Sequence, residues 1–126
     1  MKRSAAEAQA FEIPGGSTGR LYPDHPRGEH TLAVVTLDGV YPEEGLSCNE
    51  VCTETLYLVR GHLEATVADE TSELGPGDML VILPRHPYRL VGDAEVVVVI
   101  TPAWRPEQNR ILSAEEARKV CASTEE

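Results

Sequence analysis

The feature that most constrains the fold of this chain is a series of short apolar runs, each bounded by turn residues. The runs are "TLAVVTL", "TLYLV", "LEATV", "MLVIL", "YRLV" and "EVVVVIT". Short runs at roughly ten-residue spacing, rich in Val, Ile, Leu and Thr, are typical of an all-β sandwich or barrel. We therefore predict an all-β fold with a single domain, since 126 residues hold one ordinary core but not two.

The segments at the two ends of the chain have a different character. The stretch "FEIPGGSTGRLYPDHPRGEH" is rich in Gly and Pro, and predicts an extended N-terminal arm over residues 1–28, with the barrel spanning 29–112. Ser113 and Glu116 form an S-x-x-E capping box, which predicts a short C-terminal helix within residues 113–126. The apolar runs "MLVIL" and "VVVVI" predict strands covered on both faces, by the arm or by a second subunit.

Charge and cysteine content limit the partners and the compartment. Twenty-one acidic residues against eleven basic ones give a net charge of -10, without a cluster of Lys or Arg. Because phosphate binding needs a cationic face, this composition argues against a nucleic-acid partner. The N-terminus has no apolar run long enough for a signal-peptide core or a membrane span. Three cysteines are an odd number, and in a chain without an export signal they favour reduced thiols and hence a cytoplasmic protein.

Two segments carry motifs that resemble those of the cupins, a family of small antiparallel β-barrels. In "ETLYLVRGHLEATV", Glu54 is followed after six residues by Gly61, as in the first cupin motif. In "LGPGDMLVILPRHPYRL", a P-G-D turn, an apolar strand and a Pro-rich bend follow the second motif. Together the motifs cover about residues 45–91. The resemblance implies a single-domain cupin, the double-stranded β-helix or jelly-roll barrel.

The metal-binding histidines that the resemblance implies are absent from their positions. Metal-binding cupins usually place H-x-H shortly before the first-motif Glu and one His in the second motif. Counting back from Glu54, the two imidazole positions fall on one of two pairs, which are Ser47 with Asn49 or Cys48 with Glu50. Tyr88 stands where the last His would be, so that Glu54 alone remains of four expected ligands.

A metal site with unusual ligands stays open as an alternative. Four residues of straight strand span about 13 Å, so the chain must bend if Glu50 and Glu54 are to share one ion. Were Cys48, Glu50 and Glu54 brought together, a thiolate and two carboxylates could hold zinc. Iron is a second alternative, although imidazole ligands are missing. Our main hypothesis is that the protein uses no metal or other cofactor.

Without a metal, the same residues favour proton transfer. A carboxylate that projects into an apolar barrel loses hydration, and its pKa then moves toward the range that a general acid or base needs. We predict Glu54 as the catalytic acid or base, Glu50 as a carboxylate that raises its pKa further, and Tyr88 as a hydrogen-bond donor to an enolate or oxyanion.

Five further residues are candidates for substrate binding, and each has a plainer interpretation. Asn49 either binds substrate or shapes a turn. Cys48 and Cys52 are candidates beside the motif, but both can equally be small buried apolar side chains. His86 precedes a proline in an extended bend, where solvent exposure is common. Trp104 follows the last apolar run, where an aromatic ring often packs against a neighbouring element.

The hypothesis that follows is a small-molecule enzyme that works by acid–base, non-redox chemistry. An isomerase, epimerase, dehydratase or cyclase that acts on a carbonyl compound fits, as does a place in a biosynthetic pathway. The first alternative is a metal-dependent lyase or dioxygenase, and the second is a non-catalytic binding or sensor module. We also predict a homodimer, since the fully apolar strands need covering.

Overall fold

Nine antiparallel strands form one curled sheet in the computed structural model, which describes residues 1–124 and side chains as far as Cys121. The strands are β1 (Gln9–Ile13), β2 (Ser17–Leu21), β3 (Thr31–Tyr41), β4 (Leu46–Asn49), β5 (Thr53–Val67), β6 (Glu70–Leu74), β7 (Met79–Ile82), β8 (Tyr88–Thr101) and β9 (Asn109–Leu112). One helix, α1 (Ala114–Thr124), and two short 3-10 turns, Ala5–Glu7 and Pro106–Gln108, complete this part of the chain. The all-β prediction is confirmed.

Strand β8 is the centre of the sheet. It pairs with β3 along one edge and with β5 along the other, and at its start Tyr88 pairs with Ser47 of β4. Val96, Val98 and Ile100 point into the core, whereas Val97 and Val99 face outward and are half-buried. The core therefore lies on the concave side of the sheet.

Two of the long strands were divided in the sequence-based prediction. "TLYLV" and "LEATV" belong to one strand, β5, which continues through Gly61, and "YRLV" and "EVVVVIT" belong to β8, which continues through Gly92. Glycine is needed at both positions because the strands approach closely. A Cβ at Gly61 would lie 2.0 Å from the Asp93 carbonyl oxygen, and one at Gly92 would lie 2.2 Å from that of His62. These glycines bend a continuous sheet rather than end a strand.

The N-terminal segment is more ordered than an extended arm. Strands β1 and β2 form a hairpin, and β2 extends the sheet by pairing with β3. An extended connection follows over residues 22–30. Because the hairpin lies on the concave side, it leaves the outer face of β7 uncovered. Met79 and Val81 are 64% and 46% exposed there, so the expectation that the arm covers this face is wrong.

The C-terminal helix begins with the predicted capping box. The Ser113 backbone N–H donates to Glu116 Oε1 at 3.0 Å, and the Glu116 N–H donates to Ser113 Oγ at 3.1 Å. Cys48, Leu112 and Ala117 form a small second core beneath the helix. Residues 125 and 126, which end the predicted helical segment, lie outside the described residues. Among the described helices, none is long and apolar enough to cross a membrane.

Candidate functional site

A cavity of about 470 Å3 lies on the concave side of the sheet. Apolar side chains from β3, β5 and β8 form most of its wall, including Leu37, Leu56 and Val98. The hairpin β1–β2 forms the rim, where Gln9 and Glu12 are exposed to solvent. The volume is in the range of small-molecule sites, about 300–1,000 Å3.

Six polar side chains meet at one place in or behind this apolar wall, and we call them the polar cluster. They are Tyr41, Ser47, Asn49, Glu54, Tyr88 and Asn109. Strand pairing brings them together from distant parts of the chain, since Ser47 pairs with Tyr88 and Asn49 pairs with Asn109. A polar site is therefore enclosed by apolar surface, which strengthens each of its electrostatic interactions.

The contact between Tyr88 and Glu54 is the main interaction of the polar cluster. The Tyr88 hydroxyl donates to Glu54 Oε2 at 2.9 Å, so the two predicted catalytic residues are in direct contact. The ring of Tyr41 lies 6.1 Å from that of Tyr88 between centroids, and its hydroxyl is 3.4 Å from Ser47 Oγ. Two phenols thus flank one carboxyl group.

Burial raises the pKa of the Glu54 carboxyl above its ordinary value, because the charged form loses hydration. The hydrogen bond from Tyr88, and to a smaller degree the nearby amide of Asn49, offset part of this rise in pKa. Glu54 keeps some accessible surface because it faces the cavity, but protein atoms surround it closely enough to desolvate it. A carboxyl with a raised pKa is a better base than an exposed carboxylate and can still return its proton, as acid–base catalysis requires.

The two phenols remain protonated at neutral pH. Burial raises the pKa of Tyr88 well above the ordinary value, and the adjacent Glu54 charge raises it further. Burial also raises the pKa of Tyr41, with partial compensation from its hydrogen bond to Ser47. Both phenols therefore keep their O–H groups beside Glu54, and Tyr88 donates its own to the carboxyl.

Of the two candidate pairs on β4, Ser47 and Asn49 are the pair that belongs to the polar cluster. Asn49 is 2% exposed, and its Oδ1 accepts hydrogen bonds from Gln108 Nε2 and Asn109 Nδ2, both at 2.9 Å. Side chains alternate along β4, so Cys48 points the other way, into the second core under α1. The sequence left these two registers open, and the structure selects Ser47 and Asn49.

The structure does not bring Glu50 to the cavity. Its carboxylate pairs with Arg110 at 2.6 Å on the surface, where both side chains are partly exposed. The reason is that β4 ends at Asn49 and β5 begins at Thr53, so Glu50 lies in the bend between them. We accordingly leave Glu50 out of the proposed catalytic residues.

The alternative metal ligands are also separated. Cys48 lies under α1, Glu50 is paired at the surface, and only Glu54 faces the cavity. Among residues 1–124, there is no group of three His, Cys, Asp or Glu side chains placed to hold a metal ion. Amides, protonated phenols and one carboxylate do not fit the metal site that the cupin motifs imply.

The remaining candidates lie around the cavity or away from it. Cys52 is a buried core residue, and its thiol donates to the Pro102 carbonyl oxygen at 3.4 Å. Burial raises the pKa of Cys52 and that of Cys48, which does not suit a nucleophile. Trp104 does line the cavity. His86 is absent from the lining, and its Nδ1 lies 3.0 Å from the Pro84 carbonyl oxygen.

Three residues that contribute to the site were missed in the sequence. Tyr41 and Asn109 line the cavity, and Gln108 supports Asn49 from behind. Tyr41 belongs to the "GVYP" segment before the first motif, and the two amides belong to the segment after Trp104. Neither segment has a spacing that indicates a site, because only strand pairing brings them to Glu54. Tyr41 arrives through the pairing of β3 with β8, and the two amides arrive through that of β4 with β9.

Comparison with known proteins gives structural matches only. No protein-family model and no curated protein matches the chain. Pac13, described as a unique nucleoside dehydratase, matches with a TM-score of 0.80 and 19% identity over 90% of this chain and 91% of its own. The polyketide cyclase RemF from Streptomyces resistomycificus matches with a TM-score of 0.68 and 23% identity over 94% and 91%. KdgF from Halomonas sp. has a TM-score of 0.67 and 22% identity over 83% and 94%.

These matches identify the architecture. The chain has the cupin fold, as the two sequence motifs predicted. At such identities the likeness shows the fold alone, and function has to be argued from the site.

Proposed function

We propose that the protein is an acid–base enzyme of the dehydratase or cyclase type, with Glu54 as the proton-transfer group and without a metal. The observation that carries the proposal is the carboxyl of Glu54, hydrogen-bonded to Tyr88 at 2.9 Å and enclosed in an apolar cavity. Two structurally similar proteins are described as a dehydratase and a cyclase, which supports this reaction class.

The chemistry follows from the two protonation states of Glu54. As a carboxylate, Glu54 removes a proton from the carbon next to a substrate carbonyl, and the electron pair of the C–H bond becomes the enolate. Once Glu54 has taken up the proton and lost its charge, the Tyr88 O–H can turn from Glu54 to the enolate oxygen, and the Tyr41 O–H can donate to the same oxygen. As a neutral acid, Glu54 then returns the proton to a departing hydroxyl, which leaves as water, or to the alkoxide formed when the enolate closes a ring. The enzyme ends in its starting state without a change of oxidation level.

The cavity favours a neutral and largely apolar substrate. The charged side chains in its lining are Glu12 and Glu54, and within residues 1–124 no Lys, Arg or His belongs to the lining. A phosphate or carboxylate on the substrate would have no cation to pair with and would approach two carboxylates, which is costly in an apolar cavity. We therefore propose a neutral hydroxy-carbonyl compound with an apolar body.

Turnover of neutral aromatic β-hydroxy ketones, followed by mass spectrometric detection of water loss, tests the proposal. Replacing Glu54 by Gln should lower kcat by about 10²–10⁴-fold, because the acid–base group is removed while its shape is kept. The matched control is Glu64→Gln, an exposed residue on the same strand, which should keep wild-type turnover. Circular dichroism checks that both variants fold.

Two outcomes would contradict the proposal. Unchanged turnover in Glu54→Gln would remove Glu54 from the mechanism. Binding of the ketones with equal affinity by wild type and variant, without turnover in either, would favour the non-catalytic binding module. Uridine, which is bound in structures of Streptomyces PAC13, is the polar comparison compound, and we expect it to bind more weakly than the apolar ketones.

A further inference from the structure

The side chain of Asn49 is buried but only half satisfied. Its oxygen accepts two hydrogen bonds, from Gln108 and Asn109, whereas its amide nitrogen has no hydrogen-bond partner among the described residues. That nitrogen lies near enough to Glu54 to lower the pKa of the carboxyl, without reaching the geometry of a hydrogen bond. A buried unpaired donor is costly, and here it stands beside the proposed catalytic carboxyl.

The orientation of this amide is fixed from a distance, through Gln108. The backbone N–H groups of Val51 and Cys52 both donate to Gln108 Oε1, at 3.2 and 3.1 Å. A backbone N–H can only donate, so Oε1 must face these groups and Nε2 must face Asn49. Since Nε2 is also only a donor, it requires the Asn49 oxygen on its side. The Asn49 N–H groups are thereby turned toward Glu54.

We propose that Gln108 is a positioning residue that, together with Asn109, holds the Asn49 amide N–H toward Glu54. Gln108 is itself 8% exposed and does not line the cavity, so its effect passes through Asn49. The inference rests on the proposed role of Glu54 as the proton-transfer group. With the opposite orientation, the Asn49 oxygen would face the Glu54 carboxylate, which would raise the pKa of that carboxyl further.

Two substitutions at Gln108 separate orientation from stability. Gln108→Glu keeps an acceptor for Val51 and Cys52, but presents a second carboxylate oxygen to Asn49, so the Asn49 amide should reverse. Gln108→Met removes the acceptor for both backbone N–H groups and should lower stability, but Asn109 still donates to the Asn49 oxygen and keeps its orientation. If Gln108 only stabilised the fold, Gln108→Met would change the pKa of Glu54 more than Gln108→Glu would.

The measurement is the pKa of Glu54 from carboxyl 13C NMR titration, with the signal assigned by its loss in Glu54→Gln. We expect Gln108→Glu to weaken the acid dissociation of Glu54 about tenfold or more, and Gln108→Met to change it less than about threefold. Repeating Gln108→Glu in an Asn49→Ala background isolates the direct effect of the added charge. In the Asn49→Ala background, the change in Glu54 pKa caused by Gln108→Glu should be less than half of the change measured when Asn49 is present.

Equal shifts in both backgrounds, or a larger shift for Gln108→Met than for Gln108→Glu, would overturn the proposal. A measurement on the unaltered protein is independent of variant folding, because the side-chain 15N–1H2 signals of Asn49 should follow the Glu54 titration. Signals that do not move with pH would also overturn it. These readouts need no substrate, so they can fail while Glu54→Gln still abolishes turnover, and the reverse also holds.

Discussion

At the scale of single residues, Glu54 is held in surroundings that oppose its charge. Burial raises its pKa, and the Tyr88 hydrogen bond compensates only in part. The ionised form of Glu54 therefore lowers the stability of the folded protein. The same feature makes the ionisation of Glu54 visible in the free energy of unfolding.

We predict that Glu54→Gln makes the protein more stable at neutral pH. Below the ordinary carboxyl value of 4.5, Glu54 is protonated in both the folded and the unfolded chain. As the pH rises above it, the unfolded chain releases the proton first, so the wild-type fold loses stability until the raised folded pKa is passed. Each unit of pKa difference is worth about 1.4 kcal/mol.

Urea unfolding of wild type and Glu54→Gln across a pH series measures this difference. The curves should converge below the ordinary carboxyl pKa and separate above it, with the variant more stable. Glu64→Gln is the exposed control from the same strand and should show no comparable separation. A variant that is less stable than wild type at neutral pH would show that the Glu54 carboxylate is favoured by its site.

The sequence predicted Glu54 and Tyr88 because each of them lies within a short motif that can be read from neighbouring residues. Glu54 and Tyr88 were located by motif spacing, and they do form a hydrogen bond. The choice between Ser47 with Asn49 and Cys48 with Glu50 could not be made, because it depends on how the chain bends after Asn49. Gln108 lies 59 positions from Asn49 and reaches it only through folding.

At the scale of elements, the two strands of the hairpin β1–β2 are packed together by the ring of Phe11, which lies against Gly19. Phe11 pairs across the hairpin with Gly19, and a Cβ at Gly19 would lie 2.3 Å from the end of the Phe11 ring. The ring also lines the cavity. Gly19 is thus needed for space rather than for an unusual backbone conformation, because the end of the Phe11 ring occupies the place of a Cβ.

We predict that Gly19→Ala destabilises the protein by about 1–3 kcal/mol, the usual effect of overpacking. In a Phe11→Ala background the same change should cost less than half as much, because the added methyl group then meets no ring. Denaturant unfolding of the four proteins in this double-mutant cycle gives the coupling energy. Strictly additive effects would mean that the ring does not rest on Gly19.

Strands and helices were predicted well where neighbouring residues mark their ends, and poorly where a strand bends and continues through a glycine. The capping box located the start of α1, and the apolar runs located β3 and β7. Gly61 and Gly92 were taken as turn positions, since glycine after an apolar run usually marks a turn. Their role in the close crossing of β5 and β8 depends on a partner strand that no local pattern reveals.

At the scale of the whole molecule, one outer face of the sheet is exposed and apolar. We call it the outer patch, formed by Tyr57, Val59, Met79, Val81 and Leu83 on β5, on β7 and directly after it. Tyr57 and Met79 are cross-strand partners, so the exposed side chains are contiguous. A contiguous apolar patch of this kind often marks an interface, and it supports our proposal of a homodimer.

We predict that Val81→Lys converts a dimer into a monomer, as measured by size-exclusion chromatography with light scattering. In a two-fold symmetric interface the substitution occurs twice, so two charges would be buried together. Val51→Lys is the matched control, since Val51 is 57% exposed but lies outside the outer patch. A wild-type protein that stays monomeric at high concentration would contradict the dimer, and dissociation by Val51→Lys would place the interface elsewhere.

The rim of the cavity and the polar cluster belong to different parts of the chain. The hairpin β1–β2 supplies the rim, whereas β3, β4, β5, β8 and β9 supply the polar cluster. A substitution in the hairpin can therefore alter which molecules enter without moving Glu54 or Tyr88. If Glu54 is the proton-transfer group, evolution or protein engineering can exchange the selectivity of such a scaffold as a module, while its chemistry is inherited unchanged.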